Sequence, residues 1–140
     1  MFIRIKNLPQ ILFAHIFETR KYKTQLPRDE NLIEITYIVK GSLTLEQDGV
    51  LYHAEQNDVI TNLHSSVLLL QSEEPHVHHT ICSRVPFDLS GQTAEDFLSI
   101  PLITHTGANS AKVDQLIADI IQTHTCLLYT SPSPRDPKTS

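Results

Sequence analysis

Three histidines fall within four residues in the stretch EEPHVHHT, residues 73–80: His76, His78 and His79. Imidazole is a common metal ligand and also a hydrogen-bonding ring that titrates near neutral pH. Such a cluster therefore raises two chemistries, metal chelation and ligand binding. The segment 76–85, HVHHTICSRV, is rich in β-formers, and on a strand successive side chains point to opposite faces. His76 and His78 then share a face with Thr80 and Cys82, while His79 turns away with Val77 and Ile81. At most two of the three converge. A metal would need a third or fourth ligand from elsewhere, and His53 and His64 are the candidates. The residues alone leave three readings open: a metal site, a ligand pocket, and a partly exposed strand with ordinary polar histidines.

The elements that must position these groups are short. Ile11–Glu18, Ile33–Lys40, Ser42–Gln47, Val50–Ala54, Asp58–Leu63 and Val67–Gln71 read as further strands. Asp48-Gly49 between LTLEQ and VLYHA is a hairpin signal. In Leu43-Thr44-Leu45-Glu46 the leucines go in and the polar residues out. Many short strands separated by turn residues predict a sandwich or barrel. After Pro86 the pattern changes. Residues 87–109 read as a loop with a short helix at Ala94–Leu98. Ser110–Thr125 then places Val113, Leu116, Ile117, Ile120 and Ile121 at i, i+3, i+4, i+7 and i+8, the apolar stripe of an amphipathic helix. Asn109 or Ser110 can cap its start.

Bulk properties narrow the function classes. At 140 residues, 40% hydrophobic and 19% charged, the chain has the composition of a globular domain with one core. It contains no apolar run of the ~20 residues that span a bilayer and no secretory leader pattern, so no membrane role and a cytoplasmic location are expected. The net charge is −5 with no basic cluster, which argues against nucleic-acid binding through phosphate contacts by this segment itself. The two cysteines, Cys82 and Cys126, form neither a disulfide framework nor a zinc pattern.

The stretch LPRDENLIEITYIVKGSLTLEQDGVLYHAEQNDVITNLHSSV, residues 26–67, resembles the cupin barrel. Glu34, six residues and Gly41 resemble the end of the first cupin motif. Gly49–Asp58 resembles the start of the second, with Glu55-Gln56-Asn57-Asp58 where the family usually has a Pro-x-Gly-Asp turn. Asn tolerates the left-handed conformation that Gly would supply there. The resemblance implies a jelly-roll β-barrel over residues 1–90, then a loop and linker helix over 91–125. Metal-dependent cupins carry His-x-His shortly before the glutamate. Here Arg28-Asp29-Glu30 occupies that region, no His occurs between 16 and 52, and the second motif's His is missing near Val67. Glu34 is thereby left without partners, and neither metal, cofactor nor enzymatic activity is expected.

The order of features is similar to the N-terminal sensor half of AraC-type transcription regulators: barrel, a strand with His78-His79-Thr80, a loop, and the amphipathic helix. That resemblance covers roughly residues 10–125. It implies a small-molecule effector, a sugar or related metabolite, contacted by His78, Thr80 and Arg28, the last able to clamp a carboxylate or sugar hydroxyls. It also implies a homodimer through the stripe Val113, Leu116, Ile117, Ile120 and Ile121, although packing of that stripe on its own barrel satisfies the same pattern. DNA contact would belong to a helix-turn-helix half absent from this chain. A stand-alone cupin enzyme or binding protein with metal at His76 and His78 is the alternative, and a storage or structural cupin a third. Residues 126–140, CLLYTSPSPRDPKTS, resemble the conceptual translation of a sequencing adapter and are expected to be a non-native tail, polar and unable to pack.

Overall fold

The computed structural model describes residues 2–5, 10–29, 31–85, 87–90 and 98–130, with side chains placed for 10–29, 31–85 and 100–126. Twelve strands are present among them: β1 (Phe2–Ile5), β2 (Gln10–Thr19), β3 (Tyr22–Leu26), β4 (Leu32–Lys40), β5 (Leu43–Gln47), β6 (Val50–Ala54), β7 (Asp58–Asn62), β8 (Leu68–Ser72), β9 (His76–Arg84), β10 (Phe87–Ser90), β11 (Leu98–Ser99) and β12 (Ile103–His105). A helix, α1, spans Ser110–Thr130.

The strands form a five-stranded sheet in the order β12-β7-β4-β9-β2 and a four-stranded sheet in the order β3-β8-β5-β6, with a small third sheet, β10-β1-β11. All pairings in the two large sheets are antiparallel. The two sheets share a core of Ile38, Leu43, Leu45, Ala54, Ile60, Leu68 and Leu70, to which Tyr22, Leu26, Leu102 and Ile103 add. β5 and β8 contribute alternate residues to it, Leu43 with Leu45 and Leu68 with Leu70, as a sheet buried on one face must. The molecule is thus mainly β, a cupin-like two-sheet barrel followed by a helix.

The turns follow their residue types. Asp48 and Gly49 both have positive φ, 53° and 78°, the pair of left-handed residues that a two-residue hairpin requires. Asn57 has φ 74° and donates its N–H to the Ile38 carbonyl at 2.8 Å, so it does serve where the family's turn has Gly.

Helix α1 is entered through a 3-10 turn, Gly107–Asn109, whose carbonyl at Gly107 accepts from Ser110 N–H. Its stripe divides. Ile117 and Ile121 are buried against Tyr37 and Ile81 on the outer face of β4 and β9, with Val113, Ile11, Ala14, Ile35, Val39 and Val59 around them. Leu116 and Ile120 stay exposed. The dimerisation stripe read from sequence is therefore two rows, and Val113, Ile117 and Ile121 are engaged by the protein's own barrel. Helical pitch sets the split, because a flat sheet contacts a narrower arc of a helix than five apolar positions cover.

The segment expected to be a loop contains β10, β11 and β12. Leu98, expected at the end of a short helix, begins β11, and residues 94–97 of that helix lie outside the described residues. The main helix continues past Thr125 to Thr130, while residues 131–140 of the proposed tail lie outside the described residues. Among the described residues no helix is long and apolar enough to cross a membrane.

The two rows differ in what they hold. Ile117→Ala is expected to lower stability by about 2–4 kcal/mol, the range for buried aliphatic truncations. Leu116→Ser should stay within about 0.5 kcal/mol at protein concentrations low enough to keep the chain monomeric, as exposed substitutions do. Urea unfolding followed by circular dichroism measures both, and equal losses would contradict the assignment.

Candidate ligand-binding site

A bulge builds the inner face of β2. The β2–β9 register pairs Ile11 with Ser83 and then Phe13 with Cys82, so Leu12 is the extra residue. Beyond it, Ala14 pairs with Ile81, which packs on the helix side. Phe13, His15 and Phe17 pair with Cys82, Thr80 and His78 and face inward with them. The result is a ladder of rings. Phe13 and His15 stack with centroids 5.3 Å apart at 8°. Phe17 lies 5.1 Å from His78, and His76 and His78 stack at 5.1 Å and 18°. Tyr22, from the facing sheet, meets His76 edge-on at 5.3 Å. β2 is an edge strand, so the ladder ends open: Phe13 is 39% exposed and His15 is exposed.

His76 and His78 are both buried, with His76 Nε2 2.9 Å from His78 Nδ1. One ring nitrogen must donate and the other accept, so at least one of the two rings is neutral. Burial pushes the His78 pKa down to about 4, with further lowering by His76, His15 and His79. Burial also lowers that of His76. His76 Nδ1 is buried with no hydrogen-bond partner, a state that costs roughly 1–3 kcal/mol. Gly41 lets the backbone at Pro75 and His76 come close. Its φ is +85°, and a Cβ there would stand 2.7 Å from the Pro75 carbonyl oxygen and 2.8 Å from His76 Cβ.

Further along the same inner face the side chains turn polar. Thr36 and Thr80 hydroxyls lie 3.2 Å apart. Glu34 pairs across to Asn62 and Cys82. Its Oε1 accepts from His64 Nε2 at 3.2 Å, and His64 Nδ1 donates to the Pro27 carbonyl at 3.0 Å. A carbonyl oxygen only accepts, so His64 Nδ1 carries a proton, and a carboxylate at Glu34 favours a second proton on Nε2. Burial opposes this, but the hydrogen bonds to Glu34 and Pro27 and the charges of Glu34 and Asp29 outweigh it and raise the His64 pKa. His64 itself has φ 56°, held by its N–H donating to Asn62 Oδ1 at 2.9 Å. The Asn62 amide nitrogen is buried and unpartnered. Cys82 is buried, and desolvation with the Glu34 charge pushes its thiol up to about 11, so it is neither a thiolate nor a nucleophile at neutral pH.

His78 and Thr80 do share one face, as the alternation predicts, and His79 faces the helix with Nδ1 4.0 Å from Asp114 Oδ1. Arg28 does not join them. It is exposed and lines a groove of about 450 Å3 with Glu46, Asp48, Ser65, Ser66, Val67 and Leu69, on the outer side of the sheet whose inner residues are Leu45 and Leu68. The third metal ligand is not assembled either. His53 is exposed, His64 is committed to Glu34, and among the described residues no group of three or more His, Cys, Asp and Glu side chains could hold a metal. Glu34, expected without partners, has His64. Sequence reasoning also missed Phe13, His15, Phe17 and Tyr22. The signal for the first three was the alternation Phe13-x-His15-x-Phe17, and the bulge at Leu12 hides only that Ile11 faces the other way.

The fold and this inner face define a class: a cupin-like barrel with a ring-lined, partly polar interior and no assembled metal set among the described residues. No family model and no curated protein matches the sequence. Solved structures similar to it include a cupin domain of an XRE family transcriptional regulator from Enterobacter cloacae, at 15% identity and TM-score 0.41, covering 54% of this chain and 93% of that one. The EutQ protein of Clostridium difficile matches at 16% identity and TM-score 0.45, covering 54% and 61%. ToxT from Vibrio cholerae matches at 11% identity and TM-score 0.47, covering 78% of this chain and 45% of that one. These are likenesses of fold.

The buried imidazoles set a pH dependence. A histidine whose folded pKa lies below its unfolded value of 6.5 takes up its proton more readily when unfolded, so stability falls as pH drops from 6.5 toward about 4. His64 acts with the opposite sign: its contribution is present below 6.5 and fades as pH rises through its raised folded value. Between pH 7 and pH 4.5 the His78 contribution should remove about 2–3 kcal/mol. The His78→Gln variant, unfolded in urea at both pH values, should lose that much less. Identical pH slopes for variant and parent would contradict the neutral buried pair.

Proposed function

We propose that this chain is the small-molecule-sensing and dimerisation domain of an AraC-type transcription regulator, acting in the cytoplasm without enzymatic chemistry of its own. DNA contact would be made by a helix-turn-helix half outside this chain. The observation that carries the reading is the two-sided use of β9. Its inner face presents His76, His78 and Thr80 to an interior with two unpartnered buried nitrogens, and its outer face holds the helix through Ile81. Filling the interior bears on the same backbone that seats α1. A small barrel of this kind suits one small ligand. The order of barrel, His78-His79-Thr80 strand and amphipathic helix supports the AraC-type assignment.

Dimerisation falls to the row that the barrel leaves uncovered. Leu116 and Ile120, with Ile11, Asp119, Thr123 and His124, line a cleft of about 470 Å3, and a second copy's helix would cover it.

The source DNA beyond the codon for Thr125 tests the reading. The expected result is a reading frame that continues for about another domain's length, on the order of 100 residues, with paired helix-turn-helix patterns and a basic balance. A stop codon directly after it would overturn the regulator assignment.

A further inference from the structure

Among the described residues the two large sheets end in four edge strands, β12 and β2 in one and β3 and β6 in the other. An edge presents unpaired backbone N–H and C=O groups, and short length, lysine or proline ordinarily protects it. β12 has three residues, β3 has five with Lys23 among them, and β6 has five. β2 has ten, Gln10–Thr19, with no lysine, no proline and a single carboxylate, Glu18. The bulge at Leu12 breaks the ladder near its start, so the continuous open stretch is Phe13–Thr19. Its side chains do not suit a solvent edge. Ile16 is 62% exposed, and Leu12 and Phe13 also meet water.

The same edge borders the uncovered row of α1. Ile11 of β2 lines the cleft with Leu116 and Ile120. Ile16 pairs with His79 of β9, the side chain that faces the helix, so Ile16 lies on the helix side too. Ile16, Leu116 and Ile120 thus carry exposed apolar surface from the strand edge to the helix. Specific dimers bury roughly 1,200–2,000 Å2, more than one strand pair or one helical row supplies, and here the two adjoin. Charge favours a second copy as the occupant. A two-fold axis makes the contact isologous. Centred on Ile16, an antiparallel pair sets His15 against the partner's Phe17 and Glu18 against the partner's Ala14, with no like charges opposed. Centred on His15 or Glu18, it would oppose an ionisable group to itself, and centred on Phe17 it would set Glu18 against the partner's Ile16. The edge is self-complementary in the Ile16 register.

We propose that β2 pairs antiparallel with β2 of a second copy, Ile16 opposite the partner's Ile16, and joins the two five-stranded sheets into one. This rests on the dimerisation reading above and gives it a geometry. The inner faces meet as well as the outer ones. His15 meets the partner's Phe17 on both sides of the axis, so each ring ladder is closed at its open end by the other copy. On the outer face the Leu116 and Ile120 rows of the two helices flank the joint.

Sedimentation velocity of the full chain is expected to show a dimer. Ile16→Lys places two ammonium groups at the axis on a side chain already exposed, so the fold is kept and the dimer should weaken at least ~10-fold. Leu51→Lys, on the edge strand β6 and 69% exposed, should leave it unchanged. Cross-linking reads the register. Directly opposed residues of an antiparallel pair have Cα atoms about 4.5–5.5 Å apart, within disulfide reach. In a Cys126→Ser background, with Cys82 buried, mild oxidation of Ile16→Cys should give a covalent dimer. Glu18→Cys should not, because that position faces the partner's Ala14. Cross-linking of both variants to the same extent would overturn the register. A dimer that survives Ile16→Lys and yields no cross-link through Ile16→Cys would overturn the strand pairing and leave the helix-row dimer of the regulator reading standing. A monomer at every concentration would overturn both and leave the edge to a strand of another protein.

Discussion

Burial of both faces of β9 is the constraint on which the rest of the structure depends. β9 lies between β4 and β2 in the larger sheet, and from His76 to Ser83 its residues are buried or half-buried. A strand covered on both faces can place polar side chains inside only if each finds a partner or is worth its desolvation. Thr80 finds Thr36, and His78 finds His76. His76 Nδ1 finds nothing, and Gly41 admits the close approach of the Pro75–His76 backbone that carries the ring. The chain therefore sustains a costly arrangement at one end of the barrel, where aromatic rings lead out to solvent.

The other end is organised by charge. His64 in a left-handed conformation, capped by Asn62 and bonded to both Glu34 and Pro27, fixes the loop after β7 against the start of β4. Glu34 is here bonded by the His64 ring at 3.2 Å. Between the two ends, the apolar core of Ile38, Leu43, Leu45, Ile60, Leu68 and Leu70 holds the sheets together. Polar chemistry is thus concentrated on the β4–β9–β2 inner face, the side whose outer surface carries α1.

Much of this was legible in sequence. Seven of the strands, the Asp48-Gly49 hairpin and the amphipathic helix follow from alternation, turn chemistry and helical period. The shared face of His76, His78 and Thr80 follows from alternation alone. What was not legible has physical causes. β3, YKTQL, alternates properly, but with only Tyr22 and Leu26 as apolar residues it gives no β-rich run. The bulge at Leu12 adds a residue, which reverses the apparent facing of everything before it. The Glu34–His64 pair spans thirty positions in sequence and depends on which ends of β4 and β7 meet. Arg28 is a loop residue whose direction no periodicity sets. The division of the helix stripe required knowing the partner surface, since Val113, Ile117 and Ile121 read no differently from Leu116 and Ile120 until a sheet covers one row.

The central claim is that the ring-lined interior and the helix are two faces of one element. Amide hydrogen exchange of the full chain and of its Ile117→Ala variant tests it most directly. The account predicts that exchange quickens in the variant along β4 and β9 as well as in α1 around Val113 and Ile121, because the helix and the inner face stabilise the same backbone. Faster exchange confined to α1, with β9 unchanged, would contradict it.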